Sequence, residues 1–278
     1  MTTRKPRGEY RGESRSGSKD RGSFQRNSRA FDSAEEDLWI YGQHATLLAL
    51  ANARRQKRRL LATPEARRRL AEELEPLTQS ASLQIEELHR RDIERLLPEG
   101  AVHQGIAMLS QPLADLRLSD WRPPETGRCV VVALDQVTDP HNVGAVIRSA
   151  AAFGASALLF TRRHSPGETG VLAKTASGAL ECVPIIRETN LSQALESLHK
   201  MGFLTVGLAG EGEESLEAIP NDVEKICVVL GAEGKGLRQK TRETCKQLVR
   251  LPTRPPIDQL NVSNAAAIAL YELLGRSS

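Results

Sequence analysis

No apolar run in this chain approaches the roughly 18 to 20 residues that a helix needs to cross a bilayer, so no membrane span is expected. The N-terminus is polar rather than a basic segment followed by an apolar one; export is not expected, and the reading is of a cytoplasmic protein. Cysteine is sparse. Cys129, Cys182, Cys227 and Cys245 stand far apart with no C-x-x-C pair, which removes zinc-finger and dithiol chemistry. Three of them fall in or beside strand-like runs, and all four read as reduced core residues. Two formal sequons, Asn190-Leu191-Ser192 and Asn261-Val262-Ser263, carry no sugar in a chain that stays out of the secretory pathway. Aromatics are few, at 4%, yet 278 residues with 40% apolar content suffice for a substantial core in two domains. Neither a G-x-G-x-x-G nor a Walker loop occurs. The nearest approach, Gly231-Ala232-Glu233-Gly234-Lys235-Gly236, places a carboxylate where a bound pyrophosphate would sit, which disfavours a dinucleotide or a triphosphate.

Charge is present in both signs and nearly balanced, with a net of +3, but it is unevenly placed. Arg4, Lys5, Arg7, Arg11, Arg15, Lys19, Arg21, Arg26 and Arg29 crowd the first residues, against Glu9, Glu13 and Asp20. A tail over 1–37 with so little apolar surface is expected to be disordered. Two readings stand for it: attraction of a polyanion such as RNA, or a solubilising extension. A second basic cluster, Arg54, Arg55, Lys57, Arg58 and Arg59 followed by Arg67, Arg68 and Arg69, suggests phosphate contact beyond an ordinary solvated helix face.

Apolar periodicity organises the rest. From Leu38 to about Pro112 it predicts a small α/β unit: helix His44 to about Arg58, strand Arg59–Ala62, helix Pro64–Leu74, strand Leu83–Ile85, a short helix at Ile93–Leu97 and a strand Ile106–Leu109. Residues 114–127, with Pro123-Pro124 and Gly127, read as a linker between a domain at 38–113 and a second at 128–278. In the second domain, strands at Cys129–Leu134, Ala157–Phe160, Cys182–Ile186, Leu204–Leu208, Ile226–Leu230 and Leu248–Leu251 alternate with helices near 143–153, 168–178, 191–201, 237–245 and 262–274. Continuous Val/Leu/Ile runs between helices predict a mostly parallel sheet covered on both faces.

Three loops in this half join an apolar run to a helix-like run, where α/β proteins place their chemistry. They are Leu134-Asp135-Gln136-Val137-Thr138-Asp139-Pro140-His141-Asn142-Val143-Gly144 with Arg148, then Leu230-Gly231-Ala232-Glu233-Gly234-Lys235-Gly236-Leu237, then Leu260-Asn261-Val262-Ser263. In this order and spacing they resemble the three motifs of the SpoU (TrmH-like) RNA 2′-O-ribose methyltransferases. Tyr41-Gly42-Gln43-His44-Ala45 and Ala101-Val102-His103-Gln104-Gly105 resemble the substrate-binding domain of the subgroup that methylates a guanosine of 23S ribosomal RNA. The likeness spans about residues 38 to 275.

This resemblance implies a SPOUT-type α/β fold with a C-terminal trefoil knot, which pattern rules would not have suggested because knots are nearly absent from proteins. It also implies a small L7Ae-like substrate-binding domain, S-adenosylmethionine as methyl donor, RNA (23S rRNA or its precursor particle) as substrate, and a homodimer with the active site at its interface. No metal is needed, since the donor sulfur is already positive. Arg148 occupies the position that acts on the ribose hydroxyl in the family. A guanidinium stays protonated, which favours positioning of the 2′-oxygen or the adjacent phosphate over proton abstraction, with a phosphate-assisted base role still open. Asn142 is either a helix cap or an orienting residue; Glu233 is either a capping acid or a carboxylate that faces Arg148 and holds its rotamer. Asn261 and Ser263 match the third motif and stand between cap and site. Gly210, Leu230, Gly231, Leu251 and Leu260 match the family's cofactor pocket. His141 reads as a turn residue beside Asn142. Two departures concern the exact nucleotide: the polar, proline-rich stretch between Leu251 and Leu260, and Asn264-Ala265-Ala266-Ala267 after Ser263. A tRNA 2′-O-methyltransferase and an RNA-binding protein without catalysis are the alternatives; the joint presence of Arg148, Glu233 and Ser263 argues against the second.

Overall fold

The computed structural model describes Met1 and residues 37–163, 165–256 and 259–277. Nearly all of the expected basic tail over 1–37 therefore lies outside the described residues.

Residues 38–110 build the first sheet. Its elements run β1 (Leu38–Tyr41), α1 (Gln43–Ala51), β2 (Lys57–Ala62), α2 (Pro64–Arg69), α3 (Ala71–Ala81), β3 (Ile85–Glu87), α4 (Arg90–Leu96) and β4 (Ile106–Ser110). The strand order is β1-β4-β2-β3, with β2 and β3 parallel and the other pairs antiparallel. Three boundaries depart from the periodicity, each for a local reason. α1 stops at Ala51 instead of reaching Arg58, because the Asn52 side chain accepts from the Arg54 N–H at 2.9 Å and offers the backbone a turn in place of another helical bond. The helix expected over 64–74 is two helices broken at Leu70; the first begins with Thr63 accepting from Ala66 N–H at 3.2 Å and Pro64 in its first turn. Leu83 does not start a strand, since Ser82 adopts a left-handed φ of 51° and Leu83 N–H bonds back to Thr78 at 3.0 Å, closing α3.

The second sheet follows the alternation more closely. Its elements are β5 (Cys129–Asp135), α5 (Pro140–Phe153), β6 (Ala157–Thr161), α6 (Gly170–Thr175), β7 (Ile185–Glu188), α7 (Leu191–Lys200), β8 (Leu204–Leu208), β9 (Glu214–Ser215), β10 (Lys225–Gly231), α8 (Gln239–Thr244), β11 (Gln247–Arg250) and α9 (Val262–Leu274). Seven strands in the order β7-β6-β5-β10-β8-β11-β9 pair in parallel throughout. Every residue of β5 is buried, as a strand covered on both faces requires. Its side chains divide by the period of two: Val130, Val132 and Leu134 pack with Val146 and Ile147 of α5 and Leu270 of α9, while Val131 and Ala133 pack with Leu195 and Leu198 of α7. The strand expected from Cys182 begins only at Ile185, because Ala179–Glu181 form a 3-10 turn; Cys182 is consequently exposed and is not a core residue.

The segment read as a linker is anchored. Leu116 bridges to Ile186 at the edge of the second sheet, and Leu118 and Trp121 are buried, with Trp121 against Phe203 at 6.1 Å between ring centroids. Arg55, grouped by sequence with the phosphate-seeking cations, is instead buried against acids of the second half. It donates to Glu181 at 2.5 and 3.1 Å, lies 2.6 Å from a Glu168 oxygen, and donates to the Gln111 carbonyl at 3.0 Å. Arg59 pairs with Glu86 and Arg67 with Glu87, so those cations too are partnered.

Candidate active site

The first motif enters α5 through Asp139, whose carboxylate accepts from the His141 backbone N–H at 2.9 Å, with Pro140 next in the first turn. The capping role thus belongs to Asp139, and Asn142 is free for other partners. Its Nδ2 donates to Glu233 Oε1 at 3.1 Å. Glu233 caps no helix either: it sits in a tight turn closed by Gly236 N–H donating to the Ala232 carbonyl at 2.8 Å, well before α8. Gly234 and Gly236 hold φ of 74° and 63°, the left-handed region in which a Cβ is strained.

Asn261 joins these two loops to the third. Its side-chain oxygen accepts from the Ser263 N–H at 2.8 Å and from Ser263 Oγ at 2.6 Å, capping α9. Its Nδ2 donates to Asn142 Oδ1 at 3.0 Å and also to Glu233 Oε1. Asn142, Glu233, Asn261 and Ser263, drawn from three separate loops, therefore form one connected network around a single carboxylate oxygen. Hydrogen bonds to an ionised acceptor are stronger than neutral ones, so the carboxylate fixes both amides in orientation.

Arg148 is not part of this network. Six residues beyond Asn142 on α5, it stands about 9 Å further along the axis and about 120° around it. It is exposed and has no ion pair among the described residues. The expected pairing of Glu233 with Arg148 is therefore corrected for a single chain: among the described residues the Glu233 partners are the amides of Asn142 and Asn261, both on Oε1. His141 is exposed and engages through its backbone N–H.

The residues matched to a cofactor pocket converge. Gly210, Leu230, Gly231, Leu251 and Leu260 all line one open cavity of about 280 Å³ at the carboxyl ends of β8 and β10, and Glu233 lines it too. That volume is near the lower end of the range for small-molecule sites, roughly 300–1,000 Å³. A Cβ on Gly210 or Gly236 would meet no atom and would intrude on open space, so these glycines leave a cradle where backbone is accessible. Gly231 has a different reason: a Cβ there would overlap the backbone of Gly236 and Leu237. Gly144 also answers to packing, since a Cβ would press on the Thr175 side chain at 2.7 Å where α5 meets α6.

Asp135, quoted only as part of a motif, proves structurally central. Fully buried at the end of β5, it accepts from Arg238 N–H at 2.9 Å and from Arg238 Nε at 2.7 Å, tying the far end of the Glu233 loop to the sheet. The signal was available: an acid closing an otherwise apolar buried strand needs a partner.

Comparison with known proteins places these features in a family. Residues 129–271 match the SpoU rRNA Methylase family, and residues 39–115 match the domain described as RNA 2'-O ribose methyltransferase substrate binding. The chain is 37% identical over 238 residues to the 23S rRNA (guanosine-2'-O-)-methyltransferase RlmB of Pseudomonas putida, covering 84% of this chain and 94% of the relative. It is 36% identical over 241 residues to the protein of the same name from Pasteurella multocida, covering 84% and 96%. Among solved structures, the SpoU methyltransferase AviRb from Streptomyces viridochromogenes in complex with AdoMet superposes with a TM-score of 0.72 at 23% identity, over 87% of this chain and 90% of that one. An AdoMet-bound rRNA methyltransferase from Sinorhizobium meliloti gives 0.73 at 21% identity, over 86% and 87%. These two likenesses bear on the fold alone. With both halves matched in sequence and the three motif loops converging on one carboxylate, the chain belongs to the SpoU rRNA Methylase family.

Proposed function

We propose that this protein transfers a methyl group from S-adenosylmethionine to a ribose 2′-hydroxyl of RNA, on a guanosine of 23S rRNA, in the cytoplasm. The observation that carries the reading is the meeting of the pocket and motif residues: one cavity is lined by Gly210, Leu230, Gly231, Leu251 and Leu260, and the carboxylate at its edge is bonded to Asn142 and Asn261. Gly231, Leu251 and Leu260 would hold the cofactor through backbone groups, and the open space at Gly210 and Gly236 fits a ligand approaching main chain. When bound there, S-adenosylmethionine supplies a methyl group already activated by its sulfonium, so alignment and exclusion of water are what the protein must add. Glu233 holds Asn142 and Asn261 in place, Ser263 is set by Asn261, and these polar groups orient the ribose at the cavity edge.

Arg148 completes the site from a second copy of the chain. Its exposure and distance from Asn142 in one chain support that reading, as do Ile268 and Tyr271, which stand 45% and 52% exposed on α9 beside α5. In the dimer the guanidinium stabilises alkoxide character on the 2′-oxygen as the methyl group moves. The RNA is held by a substrate-binding domain at 38–113, joined through 114–127 to a methyltransferase domain at 128–278. A knotted crossing near the cavity belongs to the same reading.

Incubation with labelled methyl donor and 23S rRNA, followed by mapping of the modified nucleotide, tests the function. Label on a guanosine 2′-oxygen is expected. Label confined to tRNA would replace the substrate, and RNA binding without label would remove catalysis. Arg148→Ala should abolish transfer while sparing cofactor binding.

A further inference from the structure

A second cavity, of about 260 Å³, opens at the carboxyl ends of β6 and β7 on residues that take no part in the asparagine and glutamate network. The end of β6, the turn into α7 and the first turn of α8 line it. Its charge has one sign. Arg163 and Lys240 are exposed lining residues with no ion pair among the described residues, and no described lining residue is an acid. Arg238 adds a third cation, held in place through its Nε by the buried Asp135.

Three buried hydroxyl residues also line the cavity, and one of them, Thr161, already donates to the Arg163 carbonyl; the other two are Ser192 and Thr241. Ser192 is 4% exposed and Thr241 1%, and neither hydroxyl has a hydrogen-bond partner among the described residues. Buried hydroxyls are ordinarily satisfied, and the little surface these two keep is where the cavity reaches them. α7 begins here as well, a helix of 10 residues whose Asn190 cap accepts from Gln193 N–H at 3.3 Å. The other N–H groups of its first turn lack intrahelical acceptors and carry the positive end of the helix dipole.

Unpaired cations, unpartnered hydroxyl donors and a helix N-terminus around acid-free space are the groups that recognise a phosphoryl oxyanion. We propose that this cavity is a phosphoryl-binding subsite, distinct from the cofactor cavity and independent of the methyl-transfer reading. The phosphoryl group comes either from a free phosphate ester or from the backbone of an RNA strand, and the chemistry of recognition is the same for both.

The test uses the full chain and an Arg163→Gln/Lys240→Gln double variant, both residues being exposed and remote from the asparagine and glutamate network. Phosphorus NMR line broadening is recorded for inorganic phosphate and adenosine 5′-monophosphate, and RNA affinity is measured across a salt series. Loss of a charged hydrogen-bonding partner should weaken binding about tenfold or more, with Arg163→Lys/Lys240→Arg restoring most of it. Weakened binding of phosphate or the monophosphate identifies a free ester as the source. Weakened RNA binding with a shallower salt dependence, and no change for the small anions, identifies the strand. Unchanged affinity for all three probes overturns the proposal. Should the double variant melt below the wild-type protein, Lys240→Gln alone carries the same comparison.

Discussion

At the scale of single residues, the site is an exercise in competing uses of the same side chain. Asparagine and serine near helix starts are ordinarily caps, and here Asn261 is a cap and more: one end of its amide satisfies α9 while the other reaches Asn142 and Glu233. Glu233 therefore acts as an acceptor of two amides, and the variants that follow separate that role from its charge. Glu233→Gln keeps an acceptor oxygen, whereas Glu233→Ala leaves both asparagines without it. Single-turnover methyl transfer should fall about ten- to a hundredfold further in the alanine variant than in the glutamine variant, the worth of a pair of neutral hydrogen bonds. Equal losses in the two would mean that the negative charge, and not the geometry of the amides, is what the reaction requires. The positions of these four polar residues in sequence announced the network. Its wiring was not legible, because a spacing of about a hundred residues carries no geometry.

The elements carry the next level of constraint. Glycines that look alike in sequence divide into those that allow the backbone to close on itself and those that leave room for a ligand. Gly231 belongs to the first kind, since an added methyl meets the Gly236 backbone; Gly210 belongs to the second, with open space at its Cβ. Gly231→Ala should destabilise the protein by about 1–3 kcal/mol in denaturant unfolding, as overpacking does. Gly210→Ala should stay within about 0.5 kcal/mol of wild type yet bind S-adenosylmethionine less well in calorimetry. A stable Gly231→Ala variant with unchanged cofactor affinity would show that the turn relaxes at no cost. Helix ends were the least legible part of the elements. α1 ended early because the Asn52 side chain competed for the backbone, and β3 started late because Leu83 was used to close α3; periodicity registers neither effect.

At the scale of the molecule, Arg55 shows how a surface-looking charge becomes an internal fastening. It links the segment after α1 to Glu168 and Glu181 of the second half, with its side chain fully buried. Arg55→Met should cost about 3–5 kcal/mol, since it leaves buried carboxylates without their counter-charge. Burial holds the Glu168 carboxyl above its ordinary range despite the neighbouring Arg55. A group whose pKa is raised on folding contributes stability in full below its unfolded pKa and loses it as pH rises through the folded value. Urea unfolding from about pH 4 to about pH 7 should accordingly show a falling contribution that Glu168→Gln abolishes. An identical pH profile in the variant would contradict this. For the proposed dimer, mixing Arg148→Ala chains with Glu233→Ala chains should restore transfer that each lacks alone, because one of the two mixed sites then holds an intact arginine and an intact carboxylate. No recovery on mixing would place both groups in one chain's site.

The amino-acid sequence by itself determined the family and the parallel alternation of strands and helices, because each depends on local pattern and residue type. Tertiary structure alone decided that Asp139 rather than Asn142 caps α5, that Glu233 faces asparagines rather than Arg148, and that Arg55 is buried instead of facing phosphate. Those outcomes depend on which loops meet across the sheet, and the energy of such meetings is set by partners distant in the chain, to which a local pattern is blind.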